Sequence, residues 1–222
     1  MLRCDLHIHS NFSRDGESTI EEILARALEV GLDAIAITDH DTVEGALYAM
    51  TLHTPVLVIP GIEISTRQGH LIALGITRPV PPDLDFLKTE ALVKEMGGLT
   101  ILPHPYHQWR HGAALKVRAA IEAVDAVEVF NSRYIIGSAN WKAEKRARSL
   151  NKPCVAGSDA HNARFVGYGQ TLIDAEEPTV DAILRAILEG KTSIEGRMTP
   201  LSTYALQSIK GAERKIKRRV QE

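Results

Sequence analysis

The sequence predicts an α/β fold, a parallel sheet wrapped by helices, and three observations predict it. Apolar runs of strand length alternate with segments of helical spacing along the chain. The predicted strands are apolar almost without interruption, as expected of a sheet covered on both faces. Polar, chemically capable residues fall at the carboxyl ends of these strands, where α/β barrels and open α/β sheets assemble their sites.

The elements follow in order. Cys4-Asp5-Leu6-His7-Ile8-His9 reads as the first strand, and its alternation puts His7 and His9 on one face and Cys4, Leu6 and Ile8 on the other. Asn11 to Glu17 is a polar loop containing Asp15-Gly16. Ser18 to Glu22 offers a cap with carboxylates in the first turn, Ile20, Ile23, Leu24, Ala27 and Leu28 recur at helical spacing, and Gly31 stops that helix. Leu32 to Thr38 is an apolar strand ending in Asp39-His40-Asp41. A helix over Thr42 to Leu52 precedes the strand Val56 to Ile59, which runs into Gly61-Ile62-Glu63. His70 opens the apolar run Leu71 to Leu74, and Asp83 to Met96 reads as helix closing at Gly97-Gly98. Leu99 to Leu102 is a strand ending in Pro103-His104-Pro105.

The second half keeps the rhythm. Ala113 to Ala123 and Ala139 to Leu150 read as helices flanking the strand Ala126 to Phe130, which ends in Asn131. Val155-Ala156-Gly157 opens into Ser158-Asp159-Ala160-His161, and a helix over Thr179 to Leu188 is closed by Gly190. From about Leu201 the chain reads as helical and basic, a segment that could touch nucleic acid.

Composition narrows the class. The 222 residues suffice for a full core, and no repeat, low-complexity stretch or linker divides them, so one domain over 1–222 is expected. A net charge of −2 argues against a general binder of polyanions. No apolar run reaches the length of a membrane span, and His7 and His9 interrupt any signal-peptide pattern, so a cytoplasmic protein is expected. Cys4 and Cys154 lie in predicted strands without C-x-x-C spacing and read as small core hydrophobes.

Collected, the strand-end residues are His7, His9, Asp39-His40, Glu63, His70, His104, Asp159 and His161, joined by Asp15 from the first loop; six of the nine histidines are among them. Imidazoles and carboxylates without thiolates suit catalytic zinc, manganese or iron better than structural zinc. The set exceeds what one ion needs, which points to two or three divalent metal ions, and a carboxylate such as Glu63 can bridge two of them. Asp39 reads as support for a ligand and Asp41 as the cap of the following helix.

Five motifs in order, D-L-H-I-H-S, I-T-D-H-D-T, P-G-I-E-I-S, L-P-H-P and A-G-S-D-A-H, resemble those of the polymerase and histidinol phosphatase (PHP) family of metal-dependent phosphoesterases, over roughly residues 2 to 174. The resemblance implies a distorted seven-stranded (β/α) barrel with a trinuclear metal site at the strand carboxyl ends. It implies that His7, His9, Glu63 and Asp159 hold the first metal, Glu63, His70 and His104 the second, and Asp15, His40 and His161 the third. It further implies hydrolysis of a phosphoester, by phosphatase or phosphodiesterase/nuclease action, with Glu63 orienting a metal-bridging hydroxide. The substrate expected is a small phosphorylated molecule, a nucleotide or an oligonucleotide. Arg133, Arg164 and His107 are candidate substrate contacts, and Trp109 and Arg110 candidates to frame the mouth. One departure stands out: only Ile76 to Gly98 separates the third-strand histidine from P-H-P, too little for the insertion domain of lidded relatives, so a more open site is expected. An amidohydrolase-type metal hydrolase and a non-catalytic metal-binding domain are the alternative readings.

Overall fold

The computed structural model describes residues 1–107, 112–117, 119–134 and 137–200. Its elements are β1 (Leu2–Ile8), α1 (Ile20–Glu29), β2 (Ala34–Ile37), α2 (Glu44–Thr51), β3 (Leu57–Ser65), β4 (His70–Leu74), α3 (Phe86–Glu95) and β5 (Leu99–Leu102). They continue with α4 (Ala120–Ala123), β6 (Ala126–Asn131), α5 (Ser138–Ser149), β7 (Cys154–Gly157), β8 (Gly169–Ile173), α6 (Val180–Leu188) and β9 (Thr192–Gly196). Residues 108–111, which include Trp109 and Arg110, and the basic segment from 201 lie outside the described residues.

Local sequence explains most of these elements. Thr19 and Glu22 form a reciprocal capping box at the start of α1, and Gly31 follows its end at φ +71°, a conformation glycine adopts without strain. Ile20, Ile23, Leu24 and Ala27 then face Ile8, Ile35 and Ile37 of β1 and β2 in one buried cluster. Burying each such large side chain stabilises the fold by about 1.5–3 kcal/mol. α6 is capped by Thr179 and packs Ile183, Ala186 and Ile187 against Leu6, Ile59 and Ile72.

All nine strands belong to one sheet in the order β7-β6-β5-β4-β3-β2-β1-β8-β9. β1, β2 and β3 run parallel, as do β5, β6 and β7. The sheet nearly closes into a barrel. At the carboxyl end Ile8 bridges Ala160, with the His9 amide donating to the Ala160 carbonyl at 2.9 Å. Lower down, Thr171 Oγ1 on β8 bonds both the amide and the carbonyl of Ala156 on β7, each at 2.9 Å.

Four expectations are corrected. The strand count is nine rather than seven, because β8 and β9 add an antiparallel pair beside β1. β4 runs antiparallel to both neighbours, since only four residues, Thr66 to Gly69, join it to β3, far too few for a crossover. The helix expected over Ala113 to Ala123 is a 3-10 turn, Ala113–Leu115, and the single-turn α4; burial of Ala113, Ala120 and Ile121 in the core sets the path there, against helix propensity. Asp41 does not cap α2, which starts after Val43 without a side-chain cap. At φ +58° its carboxylate instead accepts from the amide and hydroxyl of Ser65, at 2.7 and 2.8 Å, and so holds the end of β3. Among the described residues no helix is long and apolar enough to cross a membrane.

Candidate metal centre

Glu63 lies at the centre of the strand carboxyl ends, 1% exposed. The β2–β3 pairing continues past the last residue of β2: the Glu63 amide donates to the Asp39 carbonyl and the Asp41 amide to the Glu63 carbonyl. His40 is thereby fixed beside Glu63, its Nδ1 3.4 Å from Oε2. The tight turn into β4 pairs Ser65 with His70 and returns the imidazole over the same face, with Nδ1 2.9 Å from Glu63 Oε1. His104, from the loop after β5, brings Nε2 within 3.0 Å of that oxygen.

The other oxygen of Glu63 faces the first strand. Oε2 is 3.4 Å from His7 Nε2 and 3.1 Å from His9 Nε2. Asp159 Oδ1 lies 3.9 and 3.6 Å from the same two nitrogens and 3.4 Å from His161 Nδ1. Asp15 Oδ2 is 3.1 Å from His161 Nε2 and 3.7 Å from His40 Nε2. The Asp15 loop is held in by main-chain bonds from Asn11 to Ser18 and from Glu17 to His161, and it crosses so closely that a Cβ at Gly16 would stand 1.8 Å from the Ser10 carbonyl oxygen. His104 and Asp159 adopt left-handed backbone conformations, φ +30° and +53°. Non-glycine residues held there cost of order 1–3 kcal/mol each.

The nine strand-end candidates therefore converge on one spot. Asp39 stands behind it, accepting from the amide and hydroxyl of Ser10 at 2.6 and 2.7 Å, and Gly45 leaves the space this requires. Burial pushes the carboxyls of Asp5 and Asp39 up to about 6. Burial likewise lowers His9, His40 and His161 to about 4, so all three are neutral donors at pH 7. For His7, burial is outweighed by the carboxylates of Asp159, Glu128 and Glu63, which raise it well above the ordinary histidine value.

This donor set fits divalent cations. Four groups of three or four ligand atoms each lie within 4.8 Å of one another: His9, Asp15, His40 and His161; His7, His9 and Glu63; His7, His104 and Asp159; His40, Glu63 and His70. Nε2 of His7 and Nε2 of His9 face each other at 3.1 Å, an arrangement that needs a shared proton or cation. Nδ1 of His40 is buried without a hydrogen-bond partner. Neutral imidazoles with carboxylates and no thiolate suit zinc, manganese or iron.

The three substrate candidates are placed differently. Arg133 reaches into the centre, Nη1 3.3 Å from Asp159 Oδ1 and 3.0 Å from His161 Nε2. Arg164 is exposed, its guanidinium 4.3 Å over the Phe165 ring. His107 is buried and stacked on Tyr134, the rings 5.0 Å apart and 16° from parallel. Glu128 escaped the sequence reading, although it bonds His7 Nδ1 at 2.9 Å. A carboxylate inside the apolar run A-V-E-V-F was the available signal, because a buried charge demands partners.

The PHP domain family matches residues 5–139, and the PHP-associated family matches residues 137–192. The chain belongs to the PHP family. Uncharacterized protein MJ1587 of Methanocaldococcus jannaschii is 36% identical to this PHP chain over 151 residues, 63% of the chain and 87% of that protein. The phosphoribosyl 1,2-cyclic phosphate 1,2-diphosphodiesterase of Eggerthella lenta is 38% identical over 85 residues, 35% of the chain and 32% of that enzyme. Among solved structures, a two-domain protein of Bacteroides vulgatus containing a predicted PHP-like metal-dependent phosphoesterase has a TM-score of 0.73 at 22% identity, covering 88% of this chain and 65% of that one. Endonuclease Q, solved with a 27-mer duplex bearing an abasic lesion, has a TM-score of 0.67 at 17% identity, covering 87% of this chain and 58% of its own. Both structures share the fold of the PHP chain.

Proposed function

We propose that this PHP protein is a metal-dependent hydrolase of phosphoesters. The observation that carries the reading is the divided carboxylate of Glu63. Its Oε1 faces His70 and His104, and its Oε2 faces His7, His9 and His40, so one side chain would bridge two cations. His7, His9 and Asp159 would complete the first site with Glu63, His70 and His104 the second, and Asp15, His40 and His161 would hold a third ion. Bound there, zinc, manganese or iron supplies Lewis-acid stabilisation of the phosphoryl oxygens and acidifies the attacking water.

The chain's own residues do the remaining work. Neutral His9, His40 and His161 offer lone pairs at neutral pH, while the buried walls around them exclude bulk water and strengthen every charge interaction inside. Arg133, on the loop after β6, presents a planar cation at the edge of the cluster and would pair the phosphoryl oxygens, a geometry guanidinium matches well. Asp15, whose side chain is 45% exposed, marks the side on which the centre opens. A phosphodiester or a phosphomonoester, on a small molecule or a nucleotide, is the substrate class; the E. lenta relative's name and that of endonuclease Q favour the diester.

The test is a hydrolysis panel on protein stripped of metal and reloaded with manganese: aryl phosphate, aryl phosphodiester and oligonucleotide. Metal-dependent release of product from at least one phosphoester is expected. No turnover on any of them by fully loaded protein would overturn the reading.

A further inference from the structure

Glu128, in the middle of β6 and 1% exposed, divides its two oxygens between different parts of the centre. Oε1 accepts from His7 Nδ1 at 2.9 Å. Oε2 accepts from the His104 main-chain amide at 2.8 Å and from Asn131 Nδ2 at 2.9 Å. The same Asn131 amide reaches Asp159 Oδ2 at 3.1 Å, and its orientation is fixed because its oxygen accepts from the Arg133 amide at 2.9 Å. His7, His104 and Asp159, whose ligand atoms form one of the groups within 4.8 Å, thus lean on a single buried support.

The neighbourhood is shaped around this support. A Cβ at Gly157 would lie 2.5 Å from His7 Cβ and 2.6 Å from Glu128 Oε1, so the glycine of A-G-S-D-A-H makes room for the His7–Glu128 bond. The amide bond to Glu128 also helps to hold His104 in its strained backbone conformation at φ +30°.

We propose that Glu128 is the positioning residue that sets the tautomer of His7 and holds His7 and Asp159 toward the first cation and His104 toward the second. This rests on the metal-site reading given above. A carboxylate only accepts hydrogen bonds, so His7 must carry a proton on Nδ1 and is left to present Nε2 to the metal. Two N–H donors press on Oε2 and one on Oε1. A glutamine in this place has a single acceptor oxygen, and it would turn that oxygen toward the pair of donors. Its NH2 group would then face His7 Nδ1 and move the ring proton to Nε2, into the position the cation needs.

The experiment measures manganese(II) binding by calorimetry on the full chain, without substrate, so its outcome does not depend on what the protein hydrolyses. Glu128→Gln should keep the circular dichroism of the parent and lose ten- to a hundredfold in affinity, the usual cost of removing such a partner. Gly157→Ala, which removes no polar atom, should weaken binding as well by prying the pair apart. A second readout uses the parent protein loaded with zinc and labelled with 15N at histidine. His7 should coordinate through Nε2 and show a protected, low-field Nδ1 proton. Unchanged manganese affinity in folded Glu128→Gln, or His7 coordinating zinc through Nδ1, overturns the proposal. If Glu128→Gln does not fold, the tautomer of the parent decides.

Discussion

The two ends of the barrel make opposite use of space. At the amino end, Leu2, Leu28, Leu32, Met50, Val56 and Leu57 line an apolar groove of about 730 Å³. At the carboxyl end six imidazoles and their carboxylates bring polar atoms to 2.9–3.7 Å of one another. Among the described residues the groove gathers no comparable set of donors, whereas the carboxyl end gathers nine. The cause is strand direction: residues following parallel strands all emerge at one end, whereas chain returning from helices enters at the other.

Breaking the carboxyl end should have the largest effect. Glu63→Gln keeps the shape but removes the charge facing two sets of imidazoles, so kcat with manganese should fall on the order of a thousandfold or more, about 4 kcal/mol in barrier. The metal count by elemental analysis should fall with it; equal turnover by the variant would refute bridging. The amino end should respond in the opposite currency. Ile183→Ala opens a cavity in the fully buried cluster under α6 and should cost about 2–5 kcal/mol of stability in chemical denaturation, with metal content and kcat unchanged below the transition. Loss of metal from that variant while still folded would mean the two ends are coupled.

Smaller effects sharpen the contrast. Arg133→Met should raise KM roughly tenfold, about 1.4 kcal/mol, and leave the metal count alone, because the guanidinium touches the cluster without belonging to it. A variant with lower metal occupancy would instead make Arg133 a structural counter-charge. Leu28→Ser, in the amino-end groove at a side chain 57% exposed, should change stability by no more than about 0.5 kcal/mol and activity not at all. A substantial loss of activity there would show that the groove serves the reaction.

Much of the centre was legible in the chain. The H-x-H of the first strand, D-H, the glutamate, P-H-P and the final D-A-H are each short segments at strand ends, and the structure gathers all of them. A carboxylate three residues before a helix and one that ties a neighbouring strand look alike locally, and for Asp41 only the arrival of Ser65 decides between them. β8 and β9 were missed for a similar reason. G-Q-T-L-I and T-S-I-E-G are short and partly polar, and they become strands by pairing with β1 and with each other. The direction of β4 was misjudged although the four-residue turn before it was in plain view.

The sequence by itself determined which donors exist and that they stand at strand ends, because two-residue alternation and the strand–helix rhythm are local properties of the backbone. Which donors face one cation was decided only in three dimensions. Glu128 meets His7 across 121 positions of chain, His161 meets Asp15 across 146, and Ile8 meets Ala160 where the sheet closes. Those meetings depend on strand order, on the antiparallel return at β4 and on barrel closure. These come from packing the whole core at once, which no local stretch of residues encodes.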